Sequence, residues 1–264
     1  MNVAVYSLAT ATEHTLYAAT SVGLQVSRDG GTTWQQALAR DEPSRAVASG
    51  PGLVLAAFED GGLFLSEGGA WRALSPPFAG ADVVGLVISP AYVTDKTLFA
   101  ATTRSQSAEV TLWRSTDAGA HWHRWLVQPS VGAGRIPLAL PSSFPISGSI
   151  FVGVGSRLWR PLRDTWEVRS GERRPVWRSV EVGDGVVGIT SLAASPGYDV
   201  DRTLFATGNA GVFVSRDGGD NFVSWSEGLS QPRMVSVAVS PDYARDGLVY
   251  ALGLGGNVWR RLTR

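Results

Sequence analysis

Apolar and polar residues alternate in short runs along most of the chain, starting at once in MNVAVYSLAT, and glycine or small polar clusters interrupt each run after a few residues. Successive side chains of a strand point to opposite faces, so this period of two predicts half-buried β-strands rather than helices. Residues 204–207, 212–215 and 235–239 are clear examples. No uninterrupted apolar run approaches the roughly 18 residues that span a bilayer, so no membrane insertion is expected.

The runs are organised by repeats. Ser27-Arg28-Asp29-Gly30-Gly31-Thr32-Thr33-Trp34 recurs as Ser215-Arg216-Asp217-Gly218-Gly219-Asp220-Asn221-Phe222 and, more loosely, as Ser115-Thr116-Asp117-Ala118-Gly119-Ala120-His121-Trp122. Ser66-Glu67-Gly68-Gly69-Ala70-Trp71 is a degraded copy. A second motif, Ser-Pro-x-Tyr-x-x-Asp, starts at Ser89, Ser195 and Ser240, in the first two copies running on into Thr-Leu-Phe-Ala. Their fixed order defines a unit: strand, tyrosine turn, strand, short glycine loop, strand, Asp-Gly-Gly turn, final strand opening with an aromatic. Four antiparallel strands in about 40 to 50 residues make one propeller blade. Units fall near 3–38, 44–75, 82–127, 136–182, 188–229 and 233–264, predicting an all-β propeller of about six blades in one domain. The fourth unit is irregular and carries the hydrophilic stretch Arg169-Ser170-Gly171-Glu172-Arg173-Arg174. The sixth ends without an Asp turn, so its outermost strand is expected to be missing or supplied by rearrangement.

Composition agrees with this picture: 31 Gly and 10 Trp suit many tight turns and bulky packing. Formal net charge is zero and 17 % of residues are charged, which gives no signature of nucleic-acid binding. Without cysteine the chain has no disulfide, thiolate metal site or cysteine nucleophile. The opening residues lack a basic segment followed by a long apolar one, so no secretory signal is read, and a chain complete as written is expected in the cytoplasm.

Ser-x-Asp-Gly-Gly-x-Thr-Trp resembles the Asp-box, or bacterial neuraminidase repeat. The Ser-Pro-x-Tyr-x-x-Asp segment is similar to those of Asp-box propellers of the sortilin type, of xyloglucan-degrading enzymes and of the photosystem II stability and assembly factor. The resemblance covers nearly the whole chain and implies a fold more than a function, because the same repeat serves glycosidases, lectin-like modules and assembly factors.

Chemistry explains the motif residues as structural. A short carboxylate such as Asp29, Asp117 or Asp217 accepts bonds from nearby backbone N–H groups, with Ser27 and Ser115 and Ser215 opening each turn, while Gly31 and Gly219 adopt conformations barred to other residues. Trp34, Trp71, Trp122 and Phe222 supply an apolar face for the end of the blade. A residue type repeated in several blades does not mark a unique site. Function is therefore expected at the other edge, built from the second-to-third turns and the crossovers between blades. Its non-repeated polar residues are Arg45, Glu59, Asp60, Arg104, Glu109, Arg135, Asp184 and Arg233. Arg45 and Arg135 hold similar positions at the start of an innermost strand, so they are the leading partner-binding candidates.

Enzyme readings fare less well. A sialidase needs an arginine cluster, a Tyr nucleophile with a Glu partner and an acid/base. Arg135-Ile136-Pro137 matches one sialidase element, but three box-like segments precede it here, and no non-repeated Tyr with a Glu partner follows. An ordinary glycosidase needs two acids flanking one bond; Glu59, Asp60 and Asp184 are the available ones. His121 and His123 offer two metal ligands without a third. The expectation is a non-catalytic module that binds a protein partner, with no cofactor or metal, and with carbohydrate binding or hydrolysis as the alternative.

Overall fold

The computed structural model describes residues 3–59, 61–78, 80–104, 108–129, 135–169 and 172–263. The chain divides into two compact units, 1–129 and 130–264. Each contains three small antiparallel sheets, giving the six blades of a β-propeller.

In the first unit, blade 1 runs β1 (Val5–Thr10), β2 (Leu16–Thr20), β3 (Gly23–Ser27) and β4 (Gln35–Gln36). Blade 2 runs β5 (Ser44–Gly50), β6 (Leu53–Phe58), β7 (Leu63–Glu67) and β8 (Ala70–Leu74). Blade 3 runs β9 (Asp82–Ile88), the helical turn α1 (Tyr92–Asp95), β10 (Leu98–Arg104), β11 (Glu109–Ser115) and β12 (His123–Pro129). In the second unit, blade 4 runs β13 (Leu138–Ala139), α2 (Phe144–Ser147), β14 (Phe151–Val154), β15 (Arg157–Arg169) and β16 (Glu172–Glu181). Blade 5 runs β17 (Ile189–Ala194), α3 (Tyr198–Asp201), β18 (Leu204–Gly208), β19 (Gly211–Ser215) and β20 (Val223–Ser224). Blade 6 has β21 (Met234–Val239), α4 (Tyr243–Asp246), β22 (Leu248–Gly253) and β23 (Val258–Leu262), a three-stranded sheet among the described residues. The expected unit limits enclose these strands except at β12, which runs on to Pro129.

Every sheet is a meander in sequence order. The first strand of each blade lies innermost, and β1, β5 and β9 are neighbours in the first unit as β13, β17 and β21 are in the second. The second and third strands are buried on both faces, because neighbouring blades of a unit pack against each other. Phe205, Val212 and Val214 of blade 5 pack on Val237, Tyr243, Val249 and Ala251 of blade 6. Leu53, Leu55 and Ala57 of blade 2 pack on Val83, Leu98 and Ala100 of blade 3. Each fully buried Leu or Phe contributes roughly 1.5–3 kcal/mol, so these contacts between blades, more than the ladders, hold each unit together. Among the described residues no helix is long and apolar enough to cross a membrane.

Blade 4 departs from the repeat in two ways. Its helical turn keeps the shape of the tyrosine turn without its sequence: Phe144, buried, replaces the tyrosine, and Ser147 replaces the aspartate. Its β15 and β16 form one long hairpin in place of an Asp turn, pairing from Arg157–Glu181 out to Arg169–Glu172. Arg169, Glu172, Arg173 and Arg174 of the hydrophilic stretch stand at the far end of that pairing.

Candidate functional site

One edge of each blade carries the repeated turns. In the first Asp turn Ser27 Oγ donates to Asp29 Oδ1 at 2.8 Å and accepts from Gly31 N at 2.8 Å, while Asp29 accepts from Thr33 N (2.8 Å) and Thr33 Oγ1 (2.6 Å). Ser115, Asp117 and Gly119 repeat the geometry, with His121 donating backbone N to Asp117 Oδ1 and its ring nitrogen 2.6 Å from Oδ2. Ser215, Asp217 and Gly219 repeat it again with Asn221. Carboxylates bonded this way favour their charged form. Asp29 is lowered to about 2 by the Thr33 hydroxyl, the Thr33 N–H and Ser27. Asp117 is also lowered to about 2, chiefly by the His121 N–H. For Asp217 burial works in the opposite direction, and the bonds from Asn221 and Ser215 outweigh it to leave the group at about 2.

Gly31, Gly119 and Gly219 all have φ near +90°. A Cβ on Gly119 would lie 2.6 Å from Leu74, and one on Gly219 2.9 Å from Leu158, so these glycines also bring each turn against the preceding blade. The aromatics differ from the expected uniform cap. Trp122 is buried against Phe78 (ring centroids 5.6 Å), Phe222 is half-buried, and Trp34 is 40 % exposed with its indole N–H on Gly31 O.

The tyrosine turns are equally closed. Asp95, Asp201 and Asp246 each accept from the opening serine (2.6, 2.5 and 2.6 Å) and from the N–H two residues on. Tyr92, Tyr198 and Tyr243 are buried; burial, followed by its bond to Glu67, pushes the Tyr92 phenol up to about 12.

The other edge has a regular backbone and irregular side chains. In five blades the ladder between the first and second strands slips by one residue at the same place, leaving one extra residue on the inner strand. These bulged residues are Tyr6, Arg45, Val84, Thr190 and Val235, all half-buried. A bulge breaks pairing locally and re-aims a side chain, so each blade presents one variable residue from one repeated kink.

In the first unit the kinks bring groups together. Arg45 lies over the Tyr6 ring at 4.7 Å and pairs with Glu59 at 2.5 Å. The Glu59 bond raises the guanidinium pKa; partial burial opposes this, and Glu59, Tyr6 and Asp82 add electrostatic support. Arg104 and Glu109 face each other across the end of the β10–β11 hairpin. Asp60 lies outside the described residues. In the second unit Arg135 sits three residues before β13 rather than within it. Its side chain reaches solvent, yet enough protein crowds it that burial lowers its pKa, and it has no hydrogen-bond or ion-pair partner among the described residues. Asp184 is exposed on the β16–β17 crossover and Arg233 on the segment before β21. Of the sequence candidates, Arg45 and Glu59 are joined by a side-chain ion pair, and Arg104 and Glu109 are cross-strand neighbours.

Tyr6, Asp82 and Thr190 are additions from the structure. Their only sequence signal is position relative to the repeat. Thr190 Oγ1 donates to Met234 O at 2.8 Å, tying neighbouring inner strands. Among the described residues no three His, Asp or Glu side chains converge to hold a metal ion.

A chain of four-stranded antiparallel blades, each sandwiched against the next within its unit, defines the β-propeller class, here with six blades. No family model matches the chain, and no curated protein matches it. Solved structures do. A structure of YCF48 bound to D1 peptide is similar over 99 % of this chain and 80 % of its own, with 17 % identity and a TM-score of 0.66. YCF48 from Cyanidioschyzon merolae is similar over 98 % of this chain and 95 % of its own, with 12 % identity and a TM-score of 0.51. An ancestral GH74 enzyme is similar over 98 % of this chain but only 38 % of its own, with 15 % identity and a TM-score of 0.71. At these identities the likeness is one of fold.

Proposed function

We propose that the chain is a non-catalytic Asp-box propeller that binds a segment of a partner protein through its bulge-bearing edge, serving as a subunit or assembly factor of a larger complex. The observation that carries this reading is the contrast between edges. Asp29, Asp117, Asp217, Asp95, Asp201 and Asp246 are each bonded within their own turns, whereas the opposite edge offers Tyr6, Arg45, Val84, Thr190 and Val235 from five blades. Arg45, Arg135 and Arg233, with Asp184, are its charged contributions, and arginine beside an aromatic such as Tyr6 is typical of the groups that anchor protein interfaces. The fold likeness to a YCF48 structure that holds a peptide supports a peptide-like partner. The Asp-box assignment rests on the three serine–aspartate turns described above.

The test is affinity capture from native extract, followed by a peptide array of whatever is captured. Arg45→Ala and Arg135→Ala, made and measured separately, should each weaken that binding at least fivefold while leaving the thermal midpoint within a degree or two; unchanged affinity removes that arginine from the binding surface. The GH74 likeness keeps a carbohydrate reading in view, so a panel of chromogenic glycosides and a glycan array run alongside. Turnover of any glycoside would overturn the non-catalytic reading.

A further inference from the structure

We infer that an open depression beside the start of β21 is a carboxylate-binding subsite for a peptide, with Arg233 and Gln231 as donors and Leu254 and Pro232 as apolar wall. This rests on the peptide-binding reading above and assigns it a place and a ligand chemistry.

The depression measures about 420 Å³ and is lined by Gln231, Pro232, Arg233, Leu254 and Gly255. It lies where the crossover from blade 5 meets the β22–β23 loop, and Leu254 N donates to Arg233 O at 2.9 Å, joining its two walls. The Arg233 side chain is exposed and has no partner among the described residues. Leu254 is 63 % exposed beside it.

Gln231 supplies the second, independent observation. Its Nε2 is buried and makes no hydrogen bond. It presses on the backbone of Gly253, where a Cβ would stand 2.4 Å away. Buried amide nitrogens almost always find an acceptor, because an unmade bond leaves their desolvation uncompensated. A glutamine turns about three side-chain torsions, and rotating the amide toward the depression gives this donor a partner only when a ligand brings one. A carboxylate is acceptor-only, has two oxygens and matches the arginine fork. One oxygen on the Arg233 guanidinium and the other on the Gln231 amide gives the unpaired Nε2 its acceptor, with an aliphatic neighbour on Leu254.

Blade 5 shows the same junction closed. Position 254 corresponds to Asn209, whose side-chain oxygen accepts from Val187 N at 2.8 Å and whose amide donates to Gly185 O at 2.9 Å, lacing loop to crossover. Leucine at this position in blade 6 leaves the junction held by the Leu254–Arg233 backbone bond without side-chain lacing, and apolar.

The experiment uses the full chain and a fluorescein-labelled decapeptide with a central Leu-Asp pair, measured by anisotropy at low and moderate salt. Three control probes carry Leu-Asn, Leu-Asp with an amidated C-terminus, or Leu-Asn with an amidated C-terminus; the first two separate a side-chain carboxylate from a terminal one, and the third lacks both. Binding should need at least one carboxylate and weaken with salt. Arg233→Ala should lower affinity tenfold or more, and Gln231→Leu threefold to tenfold with the thermal midpoint unchanged or raised. Equal binding of all probes, or wild-type affinity in both variants, overturns the subsite. A peptide array run with wild type and Arg233→Ala separates the two levels: ligands found and held equally by both sink the subsite alone, and no ligand for either sinks the peptide-binding reading with it.

Discussion

Blades 4 and 5 are neighbours in the second unit and invite direct comparison. Both place a large aromatic on the second strand, Phe151 in one and Phe205 in the other, each with no more than 1 % of its surface exposed. Both approach that strand through a helical turn that ends in a left-handed residue, Gly148 or Arg202. Their outer halves share nothing. Blade 5 closes with a serine–aspartate turn and a two-residue strand, while blade 4 extends a hairpin from β15 into β16. Its base is tied to blade 5 through Asp220, which pairs with Arg160 and, at 3.0 Å, with Arg178. The inner half of a blade carries the packing, so the outer half is free to be replaced.

If that division holds, the largest losses come from matched inner-strand truncations. Phe151→Ala and Phe205→Ala should each cost about 3–5 kcal/mol in urea unfolding; a much smaller loss at Phe151 would mean that blade 4 is held by its hairpin instead. Gly219→Ala forces a side chain into a left-handed turn and against Leu158, and should cost about 2 kcal/mol. A milder effect would show that the two blades can part at this seam.

Asp217→Ala should cost about 1 kcal/mol, since its several bonds are worth only their net value and solvent screens an exposed group. The turns also predict a pH profile. Below about pH 4 an unfolded chain takes up protons on aspartates that the folded Asp29, Asp117 and Asp217 refuse until about pH 2. Stability should thus be level above pH 5 and fall between pH 4 and 2. Asp217→Asn should flatten that fall, and an unaltered profile would assign it to other carboxylates. At the small end, Val168→Ser on the hairpin, 74 % exposed, should change stability by less than about 0.5 kcal/mol. A larger change would make the hairpin part of the core.

The fold class and blade limits were legible because a repeat states its own period: two motifs in fixed order mark two of the three hairpin turns in a blade. Even the three-stranded sheet of blade 6 among the described residues accords with the absence of an Asp turn. Blade 4 hid its helical turn, since Phe144 and Ser147 fill the same backbone with different chemistry, and only the structure aligns them with Tyr198 and Asp201. The candidate edge was less legible for a physical reason. Arg45 and Glu59 are fourteen positions apart and meet because a hairpin folds them together, and Tyr6 reaches Arg45 from another blade. Leu254 and Gln231 carry no motif at all; their meaning lies in the comparison with Asn209.

The slipped ladder of the inner strands has a consequence for how this protein changes over time. A backbone irregularity repeated at one register acts as a set of interchangeable sockets, each accepting tyrosine, arginine, valine or threonine without disturbing the strand that holds it. Under the proposed reading, partner binding is rewritten one socket at a time by single substitutions, on a scaffold whose folding is encoded elsewhere.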